Sequence, residues 1–458
     1  MPNPLHDELA QLLGDRFTVS DYERQQHGQD ESSLPPMLPD AVCFPLTTEE
    51  VAAIVKLCAQ HQTPIIPFGA GSSLEGHVFA PHGGVSVDCS RMNKILRVSA
   101  DDLDCTVQAG VTRQQLDQSL RQQGLFFPVD PGADATLGGM ASTRASGTTA
   151  VRYGTMADNV LTLTVVLPNG EIIQTGSRAR KSSAGYDLTH LFIGSEGTLG
   201  IITELSIKLQ GIPEAISAAI VGFDELDTAV KAVTEIRQSG IPVARVEFLD
   251  EVMVEAINQF TDLNLAERPT LFFEFHGSNS TVQESAELAA EITHAWGGSD
   301  FQWAVDIGER NALWKARHNA YFACLAYRPG SRSLTTDVCV PISQLAECIS
   351  KTKEDIDQSG LTAPIVGHIG DGNFHLLLLV DPHEPEDFAK AEQLNERLVK
   401  RALAMGGTIT GEHGVGLGKM KFMKAQHGAG TLAVMHAIKQ AIDPQNLMNP
   451  GKMLPILE

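Results

Sequence analysis

The sequence predicts an α+β protein of two main domains, and three observations lead there. The chain has 458 residues, too many for one ordinary core at roughly 100 to 200 residues per domain. Helical and strand patterns alternate from Thr47 onward, with mixed rather than purely parallel sheet. Composition changes at Gly211 to Glu214, which divides the chain into an N-terminal segment over 1–40, a first domain over 41–215 and a second over 216–458, the last with a tail returning to the first.

Each element has its own signal. Thr47 with Glu50 three residues on caps a helix carrying Val51, Ile54, Val55 and Cys58 at helical spacing. The apolar run Pro64 to Phe68 and the alternating Val85, Val87 and Cys89 read as strands. LTLTVVLPNGEIIQTG is a hairpin across Asn169-Gly170, a dipeptide suited to positive φ. Beyond the boundary, LFFEF is a strand, and QESAELAAEITHAW and EDFAKAEQLNERLVKRALAMG are helices. No fixed-period repeat or low-complexity tract is present.

Composition narrows the function. Hydrophobic residues make up 43% and charged residues 20% of the chain, which is globular composition. A net charge of -22 argues against nucleic acid, whose phosphates demand a surplus of Lys and Arg. An anionic substrate would then be held by a few local arginines. Seven cysteines without a C-x-x-C pair read as reduced core residues. No leader-like N-terminus and no apolar stretch of roughly 20 residues predict a cytoplasmic chain, docking peripherally on a membrane at most. Homo-oligomerisation is left open.

Three segments rich in glycine, serine and threonine follow strands: PFGAGSSLEG (67–76), PGADATLGGMASTRASG (131–147) and GSEGTLGIIT (194–203). Glycine-rich turns can turn backbone N–H groups toward phosphate oxygens, and three such loops suggest convergence on one large polar ligand. No G-x-G-x-x-G opens a helix with an acidic residue about 20 later, which argues against NAD.

These loops, in this order, with NPGKML at 449–454, resemble the FAD-linked oxidases of vanillyl-alcohol oxidase and p-cresol methylhydroxylase type. The resemblance implies a two-subdomain flavin domain of p-cresol methylhydroxylase type and an α+β substrate, or cap, domain with an antiparallel sheet. It assigns Gly69, Gly71, Ser72, Ser73, Gly138 and Gly139 to the pyrophosphate, with Pro67, Ala70 and Gly76 completing the first loop. Pro131, Thr136, Ser142 and Gly147 would lie along the flavin, Glu196, Gly200 and Ile202 along the adenine, and Asn449 in the tail. Some members attach FAD covalently through His or Cys; His77 follows the first loop, but dissociable FAD is expected.

The stretch GHIGDGNFHLLLL (367–379) carries the chemistry. With Asp371-Gly372 as a two-residue turn, His368 opposes His375 on one sheet face, preset to share a metal. Glu412 and His413 lie in the glycine-bounded loop GEHGVG after the expected strand TIT, where a carboxylate has no evident structural task. In the similar D-lactate, glycolate and D-2-hydroxyglutarate dehydrogenases, two histidines and a glutamate hold a divalent ion. They map onto His368, His375 and Glu412, with His413 as the base; zinc, manganese and iron all suit such ligands.

A 2-hydroxy acid can chelate such an ion, which acidifies its hydroxyl for His413 as hydride leaves for flavin. Arg317, two turns from Arg310 on the helix of ERNALWKARHNA, is the candidate for the substrate carboxylate; an arginine after a tryptophan, here Trp314, does this in the resembled subgroup. That subgroup carries a lysine where this chain has Thr335 when its substrate is a dicarboxylate. D-lactate is thus the expected substrate, ahead of glycolate and D-2-hydroxyglutarate, and the electron acceptor is a quinone, a cytochrome or an electron-transfer flavoprotein. A metal-dependent hydrolase would leave the three loops unexplained, and a non-catalytic flavin subunit would not need the histidines.

Overall fold

Thr47 accepts a hydrogen bond from the Glu50 amide at 3.2 Å and starts α1 (Thr48–Gln60), which buries Val51, Ile54, Val55 and Cys58. These side chains pack on a four-stranded sheet of β1 (Phe17–Thr18), β2 (Ala41–Cys43), β3 (Ile65–Phe68) and β4 (Val85–Asp88), ordered β1-β2-β4-β3. The computed structural model describes residues 3–261 and 263–456. By contacts the chain divides into two units: Met1–Ser146, Gly154–Ile212 and Glu412–Glu458 form one, Gly147–Tyr153 and Pro213–Gly411 the other.

The first unit has a second, wholly antiparallel sheet of β5 (Ile95–Ser99), β6 (Asp104–Gln108), β7 (Val160–Val166), β8 (Ile172–Gln174) and β9 (Ile201–Lys208), ordered β5-β6-β9-β7-β8. β7 and β8 form the expected hairpin, but across three residues, Pro168 to Gly170, because Gly170 has φ 74° while Asn169 is not in the positive region. A two-residue turn would need positive φ at both centres. The short α2 (Leu137–Thr143) sets Leu137, Met140 and Ala141 into the core of this sheet.

The tail belongs to this unit. Ile438 and Ile442 of the helix Met423–Ile442 pack on the same core, and Met448 pairs with Ile65 at the edge of β3. Buried Asp443 makes that return possible, accepting from Lys439 Nζ at 2.5 Å and from the Leu447 and Met448 amides at 3.1 and 2.8 Å.

The second unit is built on an eight-stranded antiparallel sheet. In chain order its strands are β10 (Ala215–Gly222), β11 (Val243–Leu249), β12 (Thr270–Gly277), β13 (Ser299–Ala304), β14 (Arg332–Thr335), β15 (Val338–Cys339), β16 (Ile365–His368) and β17 (Asn373–Val380). The spatial order is β13-β10-β12-β11-β16-β17-β14, with β15 also on β17. β12 reads TLFFEFHG and is buried almost throughout, the pattern of a strand covered on both faces. Its polar pair is satisfied internally: His276 bonds Glu274 at 2.7 Å and the Tyr153 hydroxyl at 2.8 Å. α3 (Ile307–His318) sets Leu313 and Trp314 into the core on this sheet. Among the described residues no helix is long and apolar enough to cross a membrane, and all seven cysteines are free thiols.

The histidine hairpin departs from its expected register. β16 and β17 pair His368 with Asn373 and Val366 with His375, so the connection is the four residues Ile369 to Gly372. The Asp371 amide donates to His368 O at 2.9 Å, closing a turn that Gly372, at φ 83°, completes. Because the register moves by two positions, both histidines keep the same face. TIT is no strand; Thr408 makes only an isolated bridge with Cys339.

Gly372 is the point where this hairpin tolerates no side chain: a Cβ there would lie 2.0 Å from Val340 O at positive φ. Gly372→Ala should cost about 1–3 kcal/mol of strain, lowering the unfolding midpoint of a unit this size by roughly 2–12 °C. Differential scanning calorimetry measures it; an unchanged midpoint would show that the hairpin is not built as described.

Candidate functional site

A pocket in the first unit gathers the three loops. From the first come Pro67, Gly69, Ala70, Gly71, Ser72 and Ser73; from the second Pro131, Thr136, Gly138, Gly139 and Ser142; from the third Glu196 and Ile202; and Asn449, Glu412 and His413 join them. Gly71 turns the first loop at φ 67°. The amides of Ala70 through Leu74 have no acceptor among the described residues, so this run has N–H groups available to an anion.

Three expected cofactor residues do not line the pocket. Gly200 is a packing glycine, since a Cβ would come 2.7 Å from Val165 and 2.8 Å from Val166 O. Gly76 turns away at φ 75° and donates its amide to Asp30 at 2.8 Å, and Gly147 opens the short segment that belongs to the other unit. Gly138 lines the pocket for another reason than expected: its amide is taken by Ala109 O at 2.8 Å, and a Cβ would lie 2.5 Å from Ala109 Cβ. At Gly139 a Cβ would meet only Thr136 Oγ1, at 3.0 Å.

Glu196 and Asn449 hold the loops together. The Glu196 carboxylate is buried and accepts from the Val415 and Gly416 amides at 2.7 and 2.8 Å, with His77 Nε2 at 3.4 Å. Burial would push this carboxyl up, but His77 and the two amides together hold it below its ordinary value. For His77, burial opposes the cation and Glu196 outweighs it, so its pKa is raised. Asn449 Nδ2 donates to His77 O at 3.2 Å and Glu196 O at 2.7 Å, tying the first loop to the third.

In the second unit His368 and His375 are brought together, with ring centroids 5.5 Å apart at 79°. His368 Nδ1 lies 2.7 Å from Glu247 Oε1, and His375 Nδ1 lies 3.0 Å from Thr336 O. Glu247 is fully buried; burial raises its carboxyl, and His368 and Arg317 more than reverse this. Buried Asp337, 3.7 Å from His375 Nδ1, accepts from Asn373 Nδ2, Thr410 Oγ1 and the Gly411 amide at 2.7, 2.6 and 2.9 Å.

Arg317 is not the open cation that its position suggested. Its Nε and Nη2 both bind Glu247 Oε2, at 2.9 and 2.5 Å, so only Nη1 has no partner among the described residues. Sequence reasoning missed Glu247 and gave Asp337 no role; an acid inside the apolar strand VARVEFL was the signal available.

Residues 212–453 match the model of the FAD linked oxidases, C-terminal domain, and residues 39–176 that of an FAD binding domain. The chain is 50% identical to "Probable D-lactate dehydrogenase, mitochondrial" of Danio rerio over 98% of its own length and 91% of that protein. It is 46% identical to "D-lactate dehydrogenase [cytochrome], mitochondrial" of Arabidopsis thaliana, over 99% of its length and 81% of the relative's. Solved p-cresol methylhydroxylase has the same fold, with a TM-score of 0.81 at 20% identity over 98% of this chain and 96% of that one. The expected cytoplasmic location is overturned by these relatives, both described as mitochondrial; reduced cysteines and a globular composition do not distinguish the two compartments. With most of its length matched by the two domains, the chain belongs to the FAD-linked oxidases and is an oxidoreductase whose first unit binds FAD.

Proposed function

We propose that this chain oxidises a small D-2-hydroxy acid, D-lactate foremost, to the 2-oxo acid. His413 is the base, Arg317 the carboxylate ligand, and His368, His375 and Glu412 hold a divalent ion. The observation that carries this reading is the orientation of the imidazole pair. Each Nδ1 is engaged by a protein oxygen, the arrangement by which histidines that ligate a metal through Nε2 are held from behind. Glu412 follows Gly411, whose amide Asp337 binds at 2.9 Å, so a single peptide bond joins the third ligand to the clamp beside His375.

A divalent ion, when bound, supplies Lewis acidity to the substrate's hydroxyl and carboxylate. FAD, when bound and dissociable, supplies the acceptor for the hydride that leaves Cα. The chain's own residues position and deprotonate. Glu247 neutralises Arg317, so the guanidinium contributes directed N–H bonds from Nη1 rather than net charge. His413 takes the hydroxyl proton. The names of the relatives support D-lactate, and that of the Arabidopsis relative supports a cytochrome as electron acceptor.

Thr335, half-buried at the end of β14, offers no second cation, so a distal carboxylate would be desolvated without a partner. D-Lactate should therefore turn over faster than D-2-hydroxyglutarate, and the reverse order in steady-state assays would refute the size assignment. For the cofactor, Gly139→Leu should yield colourless protein with full secondary structure by circular dichroism; a yellow variant with stoichiometric FAD would remove the second loop from the site. For the metal, His368→Ala, His375→Ala and Glu412→Ala should lose the ion by elemental analysis. His413→Ala should retain ion and FAD while slowing anaerobic flavin reduction by about 10²- to 10⁴-fold. Full activity after exhaustive chelation of the wild-type protein would eliminate the metal, and metal loss in the His413 variant would reverse the assignment of ligand and base.

A further inference from the structure

The loop that carries His413 is moulded around one residue to which no role has yet been given. Glu75 O accepts from the Leu417 and Gly418 amides at 2.8 and 3.1 Å. A Cβ on Gly416 would lie 2.2 Å from that same oxygen, and one on Gly418 would lie 2.2 Å from Glu75 Oε2. Two of the three glycines of GVGLG, Gly416 and Gly418, thus lie in close approach to Glu75, while Gly414 faces Glu196 and His77 instead.

The carboxylate itself is only 10% exposed, and its Oε1 lies 3.2 Å from Lys419 Nζ and 3.9 Å from His413 Nδ1. Lys419, 4% exposed, offsets the cost of burying the anion. A structural ion pair would be complete with Lys419 alone. Yet the same oxygen also faces the imidazole, on the nitrogen that a base with its other nitrogen toward the substrate would turn inward. At 3.9 Å this is ion-pair distance, longer than a hydrogen bond, and catalytic contacts of this kind tighten when substrate is bound.

We propose that Glu75 is the positioning residue of the base: buttressed by Lys419, its carboxylate orients His413 through Nδ1 so that Nε2 meets the substrate hydroxyl. The inference rests on His413 being the base. In the step it serves, the hydroxyl O–H bond breaks and an Nε2–H bond forms on His413; Glu75 makes and breaks no bond, and steadies the imidazolium as the buried acid of a Ser-His-Asp triad does.

The test is a double-mutant cycle on the holoenzyme, read by anaerobic flavin reduction with D-lactate. Glu75→Gln should slow reduction about 10- to 100-fold, less than loss of the base itself, with FAD content, metal content and substrate dissociation constant unchanged. In the His413→Ala background the same change should cost less than about 2-fold, because residues acting as a unit are not additive. Glu75→Asp, which keeps the charge for Lys419 but draws it back from the imidazole, should show the same pattern at smaller size and serves where the glutamine variant fails to fold. Equal losses in both backgrounds would make Glu75 merely structural, and a full-rate Glu75→Gln beside a slow His413→Ala would overturn the inference while sparing the base. A full-rate His413→Ala would overturn the base assignment first.

Discussion

A carboxylate taken out of water costs several kcal/mol unless a cation or directed donors meet it, and five acids in this interior impose that constraint on their surroundings. Asp443 meets it with Lys439 and two amides, and thereby fixes the tail. Glu196 meets it with His77 and the amides of Val415 and Gly416. Glu75 meets it with Lys419, Glu247 with Arg317 and His368, and Asp337 with Asn373, Thr410 and Gly411. Apart from Asp443, each holds a loop or side chain that the proposed chemistry uses, so charge pairing and site geometry are one problem.

The consequence is clearest for the imidazoles. A histidine ring rotates about its side chain and exists as two tautomers, and an acceptor on one nitrogen settles both. Glu247 does this for His368 and the Thr336 carbonyl does it for His375. The same requirement limits Arg317, which meets Glu247 with two of its three nitrogens. A buried cation read from sequence as a ligand group is thus partly committed to the protein.

The glycines divide along a similar line. Gly69, Gly138 and Gly200 are glycines because neighbouring protein atoms approach too closely for a Cβ, at 2.4, 2.5 and 2.7 Å. Gly71 combines both demands, since it turns the first loop at positive φ and a Cβ there would also lie 2.8 Å from the Phe68 ring. Motifs rich in glycine therefore mix two demands, packing and ligand approach, that composition does not separate.

The sequence by itself determined the architecture and which loops and histidines stand together. Capping at Thr47, the pairing of the strands around Asn169-Gly170 and the apolar strand LFFEF rest on local rules of backbone and periodicity, and the structure bears them out, although the hairpin turn takes three residues. Most loop residues that line the pocket were singled out through the family resemblance, whereas the His368–His375 pair was legible from hairpin periodicity, since its members lie close in sequence. Only the tertiary structure decided the rest. The hairpin register shifted by two because Asp371 and Gly372 closed a longer turn, a choice of φ that several sequences allow. Glu247 is 121 residues from His368, and Glu75 is 338 from His413; no periodicity links partners so far apart. Their pairing follows from folding, which buries each acid and leaves it the neighbours that the chain brings there.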